Sequence, residues 1–297
     1  MKSLYLHLLL CSLFCFTSCH RPETLVLYTS QDQFYAEPLL AGFTAATGIR
    51  VLPVFDSESV KTFGLVQRLR AEKSNPRCDL FWSNEEIMAG LLAQENVVSS
   101  LTHFGYRTRR LVINTNFLSI ADAPRVLQEL TDAKWKGKIA LASPLFGTTF
   151  HHFLLLRTTW GDAKWQSWCE ELRSNNAFIL DGNSLVVKLV GQGEAWIGLT
   201  DWDDIDSGQK RNLPIATLPL TIELPYIRNS LAIVKGAPNP RNALRFMEWI
   251  AAPPQVDTLI NSGALEGRHA PATNSPVLQL STDLEQTRKL LSQIFSR

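Results

Sequence analysis

The stretch that decides the fold is DGNSLVVKLVGQGEAWIGLTDWDD, residues 181–204. Its first four residues are turn and helix N-cap types, and the apolar residues after them recur at helical spacing until two glycines end the pattern. The apolar run at residues 195–199 has the length of a short buried strand. A helix followed by a strand in this way predicts an α/β unit, with the polar turn TDWDD at residues 200–204 leaving the strand.

The TDWDD turn is the first candidate for a ligand site. It combines three carboxylates with Trp202 at the carboxyl end of a strand, which is where open α/β sheets bind their ligands. A solvated acidic helix start is the alternative interpretation, because Asp is common in first helical turns. The indole among the acids favours a site, since so large a ring needs a surface to cover.

Working outward, two α/β series flank this stretch. Apolar strands alternating with amphipathic helices predict a parallel sheet from residue 25 onward, and a second series begins with the strand at residues 139–142. We therefore predict an α/β protein of two Rossmann-like lobes joined by two crossings, with a ligand cleft between them. The predicted division is lobe 1 at residues 24–115 plus 221–297 and lobe 2 at residues 116–220.

The polar turns that follow the strands supply the candidate binding residues, because the carboxyl ends of parallel strands share one edge of a sheet. The turn at residues 143–149 also opens a helix, whose free N–H groups favour an anion. The basic patch at residues 106–110 is either a solvated cationic rim or a ligand contact. The predicted ligand-binding residues are Thr29, Ser30, Gln31, Asp56, Glu58, Gly147, Thr148, Thr149, Asn183, Asp201, Trp202, Asp203 and Tyr226.

The amino terminus predicts export. Residues 1–18 hold Lys2, a long apolar run and then small residues, which is the pattern of a secretory signal peptide and too short to span a bilayer comfortably. The ending FTSC resembles the bacterial lipoprotein cleavage box, with Phe16 where an aliphatic residue is usual. That resemblance implies lipidation at Cys19 and anchoring in the periplasm or cell envelope. An ordinary signal peptide with incidental cysteines is the alternative.

Composition excludes several classes of function. Lys+Arg 29 against Asp+Glu 28 gives no overall field that would attract nucleic acid. Zinc-type Cys/His spacing, G-x-S-x-G and H-E-x-x-H are all absent, so we do not expect an enzyme. Beyond the leader, Cys78 and Cys169 are expected to be buried thiols or one disulfide.

Several strings along the chain together resemble the substrate-binding proteins of bacterial ABC importers, in the cluster that holds the iron(III)-binding proteins. The resemblance implies a periplasmic-binding-protein-like II fold, a monomer that closes by a hinge, and delivery of a small charged ligand to ABC permease and ATPase subunits. The strings are LVLYTSQDQFYAEPLL (25–40), TGIRV (47–51), WKGKIALASPLFGTT (135–149), DGNS (181–184), GEAWIGLTD (193–201) and SLAIVKGAPNP (230–240).

One departure from this family bears on the ligand. In the ferric-ion binders a pair of adjacent tyrosines follows the strand, and here those positions hold Trp202 and Asp203. Carboxylates of Glu58, Asp201 and Asp203 can still hold a hard cation through oxygen. The resemblance therefore implies ferric iron or another metal as the transported ligand, with no resident cofactor.

Other ligands and one other class of function stay open. An organic cation or thiamine-like compound would pair with the carboxylates and use Trp202 as a π face, and a phosphonate would suit the helix start near Gly147. An exported two-lobed α/β hydrolase or transferase is the alternative of another class. The mature tyrosines that could replace the missing pair are Tyr28, Tyr35, Tyr106 and Tyr226.

Overall fold

The structure, a computed structural model, describes residues 23–56, 62–219, 221, 223–271 and 280–295 of the 297-residue chain. The predicted signal peptide, Cys19 and Glu58 lie outside these residues. The strands are β1 (Thr24–Thr29), β2 (Arg50–Phe55), β3 (Leu80–Ser83), β4 (Val98–Asn114), β5 (Ile139–Ala142), β6 (Phe178–Leu180), β7 (Ile197–Asp201), β8 (Ile215–Thr217) and β9 (Tyr226–Val234). The helices are α1 (Gln33–Thr47), α2 (Phe63–Ala71), α3 (Ile87–Gln94), α4 (Gly147–Trp160), α5 (Asp162–Ser174), α6 (Asn183–Gln192), α7 (Trp202–Lys210), α8 (Pro240–Ile250), α9 (Pro253–Ser262) and α10 (Leu280–Phe295).

The described strands form one mixed sheet in the order β2-β1-β3-β9-β4-β7-β5-β6, with β8 also paired to β4. Strands β1, β2 and β3 are parallel to one another, as are β5, β6 and β7, while β4 and β9 run antiparallel to their neighbours. We call β2, β1, β3 and β9 the first half of the sheet and β7, β5, β6 and β8 the second half. The predicted α/β class is confirmed by this architecture.

Strand β4 joins the two halves. Its residues up to Thr108 pair with β9, and from Arg109 onward they pair with β7, so the strand predicted at residues 109–114 is the end of a 17-residue strand. The side chains of Arg107 and Arg109 are 2% and 0% exposed. The interpretation of this patch as a solvated cationic rim is therefore wrong for these two arginines, whose guanidinium groups pair with the buried Asp201 and Asp203.

The carboxyl-terminal helix α10 packs on α4 and α5, which flank the second half. Leu284 and Leu291 are buried in the same apolar cluster as Phe153 of α4. Arg157 of α4 also donates a hydrogen bond of 2.7 Å from Nη1 to Thr287 Oγ1. The assignment of this helix to lobe 1 and the lobe boundaries at residues 115 and 221 stay predictions.

Two further predictions, on the cysteines and on membrane spans, can be compared with the described residues. Cys78 and Cys169 are buried and free, which confirms the first of the two interpretations of these thiols. Among the described helices, none is both long enough and apolar enough to cross a bilayer.

Candidate ligand-binding site

A polar cavity that is partly open to solvent lies between the two halves of the sheet. Most of its wall comes from the turns at the carboxyl ends of β5, β6 and β7, and the first half adds Asp32 and Asn84. The lining residues are Asp32, Asn84, Arg107, Ala142, Ser143, Phe146, Gly147, Thr148, Thr149, Asp181, Gly182, Asn183, Ser184, Asp201, Asp203 and Asp204.

Two helix amino termini open onto this cavity. Helix α4 starts at Gly147, whose φ of 56° is the left-handed region that glycine tolerates, and α6 starts at Asn183. The first amide to bond back along α4 is that of Phe150, at 3.0 Å from the Phe146 carbonyl. The earlier N–H groups of each helix have no intrahelical acceptor and carry the positive end of the helix dipole. This wall thus favours a negatively charged group.

Asp201 is the anchor of the second-half wall. Its Oδ1 accepts a 2.8 Å hydrogen bond from Arg109 Nη1, and its Oδ2 accepts bonds from Thr148 Oγ1 at 2.6 Å and Asn183 Nδ2 at 3.0 Å. The pairing of β4 with β7 places Arg109 directly opposite Asp201. Burial by itself raises the pKa of Asp201, but the positive charges of Arg109 and Arg107 outweigh burial and hold it below its usual range. Asp201 is therefore ionised, and both of its carboxylate oxygens accept hydrogen bonds from the protein itself.

Arg107 lies two residues before Arg109 and faces the same cavity. Its Nη1 is 3.2 Å from Asp203 Oδ2, and its Nε is 3.6 Å from Asp201 Oδ2. Burial alone would lower the pKa of Arg107, whereas Asp203 and Asp201 raise it. The sequence analysis missed both arginines as site residues. The sequence does hold one signal for them. Arg107, Arg109, Leu111 and Ile113 occupy every second position of one strand and so share one face, and Leu111 and Ile113 on that face are apolar and buried.

The cavity keeps an excess of negative charge despite these arginines. Oxygens of Asp201, Asp203 and Asp204 lie within 4.8 Å of one another. Five carboxylates line the cavity, those of Asp32, Asp181, Asp201, Asp203 and Asp204, together with the guanidinium of Arg107, while Arg109 lies behind Asp201 as its buried counter-charge. With all seven groups ionised the net charge is −3.

Three of the predicted site residues, Thr29, Ser30 and Gln31, are buried behind the cavity wall and do not line it. Ser30 Oγ donates to Asn84 Oδ1 at 3.1 Å and accepts from the Asn84 amide at 3.0 Å. Thr29 Oγ1 accepts a 3.0 Å bond from the Gln31 amide. These buried side chains hold the turn that presents Asn84, which the sequence analysis did not select, and they do not line the cavity themselves.

Three others point elsewhere. Asp56 Oδ2 accepts a 3.4 Å hydrogen bond from the amide of Leu65 in α2. The Tyr226 ring packs edge-on against Tyr106 with 5.3 Å between centroids. The Trp202 ring lies 5.4 Å from the Arg110 guanidinium, so its π face meets a cation of the protein itself. Gly147, Thr148, Thr149, Asn183, Asp201 and Asp203 do line the cavity, as expected of a shared edge.

The four described tyrosines differ in their relation to the acidic wall. Tyr28 Oη donates to the Glu72 carboxylate at 3.1 and 3.0 Å, and burial together with Glu72 raises its pKa to about 12. Tyr106 and Tyr226 pair with each other. For Tyr35, burial and then the charges of Asp203, Asp204 and Asp32 raise the pKa. Tyr35 is thus the phenol in electrostatic reach of the acids.

A two-part α/β sheet with a charged cavity between its halves is an arrangement found in solute-binding proteins that close on their ligand. The chain belongs to the bacterial extracellular solute-binding protein family, whose model matches residues 25–278. Members of this family bind solutes outside the cytoplasm and work with an ABC permease and ATPase. The resemblance found in the sequence is therefore confirmed at the level of the family.

Individual relatives agree on the fold and differ in ligand. Iron uptake protein A1 of Synechocystis sp. is 26% identical in an alignment of 262 residues that covers 77% of this chain and 71% of that protein. Iron-bound HitA from Pseudomonas aeruginosa superposes with a TM-score of 0.80 at 18% identity, covering 92% of this chain and 100% of that one. AfuA from Actinobacillus pleuropneumoniae, with exogenous fructose-6-phosphate bound, superposes with a TM-score of 0.74 at 16% identity. The superposition covers 92% of this chain and 98% of that one. These structures share the periplasmic-binding-protein type II fold with this chain.

Proposed function

We propose that this protein captures ferric iron, or another hard trivalent cation, for an ABC importer. The observation that carries the proposal is the net charge of −3 that the five lining carboxylates carry together with Arg107 and the buried Arg109, which a trivalent ion neutralises. Carboxylate oxygens are hard ligands that suit such an ion. Iron uptake protein A1 and iron-bound HitA, both similar to this chain, support the same cargo by their names.

We propose roles for the acids that differ from those given in the sequence analysis. Asp201 already accepts from Arg109, Thr148 and Asn183, so we assign it the role of holding the wall rather than the ion. Asp203, Asp204 and, from the opposite half, Asp32 are the carboxylates proposed to contact the cation. Glu58, the third metal ligand predicted from the sequence, stays a prediction because it lies outside the described residues.

Tyr35 is proposed as the phenol that responds to the cation. Burial and the nearby carboxylates raise its pKa and keep it protonated at neutral pH. A trivalent ion among Asp32, Asp203 and Asp204 reverses that field, which favours loss of the phenolic proton. Part of the proposal is also that the mature chain is anchored by a lipid on Cys19 and delivers its cargo to the permease.

Iron binding is tested on the chain from His20 onward, which keeps every described element. The protein is purified without chelator, its iron content is measured, and ferric citrate is titrated while visible absorbance is followed. We expect stoichiometric iron, and we expect Asp204→Asn to weaken binding at least tenfold. Asp283→Asn is the matched control, because it makes the same change at an exposed position of α10. Absence of iron uptake, or equal affinity of the two variants, would reject this cargo.

The absorbance also separates the ligand sets. A tyrosinate-to-iron band that disappears in Tyr35→Phe would assign the phenolate to Tyr35. Iron without such a band would leave the carboxylates as the ligands. Either result keeps iron as the cargo, and they differ in which oxygen atoms hold it.

A phosphate or phosphonate ester is the second candidate, because the amino termini of α4 and α6 and the Arg107 side chain open onto one cavity. That wall is complementary to an oxyanion. AfuA, which resembles this chain in fold, was solved with fructose-6-phosphate. A thermal-shift screen of phosphonates, sugar phosphates, amines and thiamine on iron-free protein tests this candidate. A rise in melting temperature with an oxyanion, present in the wild type and absent in Arg107→Met, would favour this candidate over iron.

A further inference from the structure

An arginine of the last helix lies between two phenylalanines that belong to opposite halves of the molecule. The Arg288 guanidinium carbon is 3.3 Å from the centroid of the Phe63 ring and 5.3 Å from that of Phe146. The two rings are themselves 6.3 Å apart, inclined by 54°. This group is called here the Phe63–Arg288–Phe146 cluster.

The cluster crosses the boundary between the halves. Helix α10, which carries Arg288, packs on α4 and α5 of the second half, and its Thr287 accepts a hydrogen bond from Arg157 of α4. Phe146 belongs to the same half, whereas Phe63 is the first residue of α2, which follows β2 of the first half. The contact between Arg288 and Phe63 therefore ties one half to the other.

The cluster also adjoins the ligand cavity on both sides. Phe146 lines the cavity directly, one residue before the amino terminus of α4. On the other side, Thr62 donates from Oγ1 to Asn84 Oδ1 at 3.3 Å, and Asn84 lines the cavity too.

The backbone at Thr62 is part of this link. Its φ of 69° is unfavourable for a β-branched residue, and the side chain is buried. Such a conformation persists when the surroundings hold it in place, and here it directs Phe63 toward Arg288 while Oγ1 stays on Asn84.

We propose that Arg288 is a positioning residue that stabilises the closed arrangement of the two halves without touching the solute. A guanidinium over an aromatic face is attracted by the ring, and the attraction grows as water is removed. Burial lowers the pKa of Arg288, which indicates that the guanidinium is partly desolvated where it meets the rings. Opening of the cleft separates Phe63 from Arg288 and loses this attraction. The proposal holds for any cargo, because the contact is made by the protein alone.

The experiment measures opening in the absence of any solute. Nitroxides are attached to cysteines introduced by Ala41→Cys in α1 and Lys188→Cys in α6, two exposed positions on opposite halves. Cys78 and Cys169 are buried and do not compete for the label. Double electron–electron resonance then gives the distribution of distances between the halves, for the chain from His20 onward.

Arg288→Gln is expected to raise the ratio of long to short distances by about 2- to 30-fold, which is the range of cation–π energies expressed as an equilibrium constant. Arg288→Lys, which keeps a cation, should fall between Gln and wild type. Lys289→Gln is the matched control, because it removes the same charge from an exposed neighbour on the same helix.

An unchanged distance distribution in Arg288→Gln would overturn the proposal, as would an equal shift in Lys289→Gln. Thermal melting by circular dichroism checks that each variant is folded. Should Arg288→Gln not fold, Phe63→Leu takes its place, since it removes the aromatic face and leaves the helix intact. It must then show the same shift, and a wild-type distribution in that variant would equally overturn the proposal. Failure of iron binding would leave this result untouched.

Discussion

Replacing Asp201 by Asn is expected to cause a large loss of stability. Asp201 holds three hydrogen bonds of 2.6 to 3.0 Å and is the principal counter-charge of Arg109, whose side chain is 0% exposed. The amide keeps the shape of the carboxylate but removes its charge and turns one oxygen into a donor. Arg109 would then stay buried without its partner, and Arg107 would lose one of its two carboxylates.

The expected loss in the free energy of unfolding follows from the cost of removing one partner of a buried ion pair. Such a change costs roughly 3–5 kcal/mol, because the remaining charge is left uncompensated in a medium that solvates it poorly. Since a kcal/mol shifts the melting temperature of a domain of this size by about 2–4 °C, the melting temperature should fall by roughly 6–20 °C. Urea unfolding followed by circular dichroism measures the free energy of unfolding directly.

Asp204→Asn is the matched control, since it makes the same chemical change three residues later at a partly exposed position. It should alter the free energy of unfolding by less than about 1 kcal/mol. A loss in Asp201→Asn that is no larger than in Asp204→Asn would refute the assignment of Asp201 as a structural anchor. For the same reason Asp201→Asn is a poor test of ligand binding, while Asp204→Asn is a good one.

The pH dependence gives an independent check on Asp201. Its pKa in the folded state lies below the ordinary value of 3.8, so the unfolded chain takes up the proton first as pH falls. The stabilisation is therefore fully present above about pH 5 and is lost as pH drops through the unfolded and then the folded pKa. The difference in unfolding free energy between wild type and Asp201→Asn should be constant from pH 7 to pH 5 and should shrink below pH 4. A gap that stays constant below pH 4 would contradict an ionised Asp201.

Three further predictions concern other buried groups. Burial, and to a smaller extent the charge of Arg109, lowers the pKa of His152 to about 3. The unfolded state therefore binds a proton first, and the free energy of unfolding falls as pH drops below 6.5. Urea unfolding should show about 1.4 kcal/mol lost per pH unit from this residue, and His152→Gln should remove that slope. Trp202→Phe should change the affinity for ferric citrate less than threefold in a titration, because the indole faces Arg110. Burial raises the pKa of the Cys78 and Cys169 thiols, so iodoacetamide at pH 8 should modify them only after urea is added, as read by mass spectrometry.

Much of the fold was predictable because its signals are local. The order of strands and helices follows from apolar periodicity and from N-cap and glycine stops, which act within a few residues. The turns at Gly147, Asn183 and Asp201 were placed on one cavity edge by the rule that parallel strands end together, and they do line it. Phe63 and Arg288 could not be paired in this way, because no local pattern relates residues 225 positions apart in the chain.

What the sequence determined by itself is therefore the α/β order, the polar chemistry of the turns and the family. The charge of the cavity was decided only by the tertiary structure. Arg109 and Asp201 are 92 residues apart and meet because β4 pairs with β7 in a particular register, which also brings Arg107 inside. A shift of that register by one residue would turn both arginines to the opposite face, since side chains alternate along a strand. The sequence supplied the acids of the site, and the long-range pairing supplied the cations that balance part of their charge.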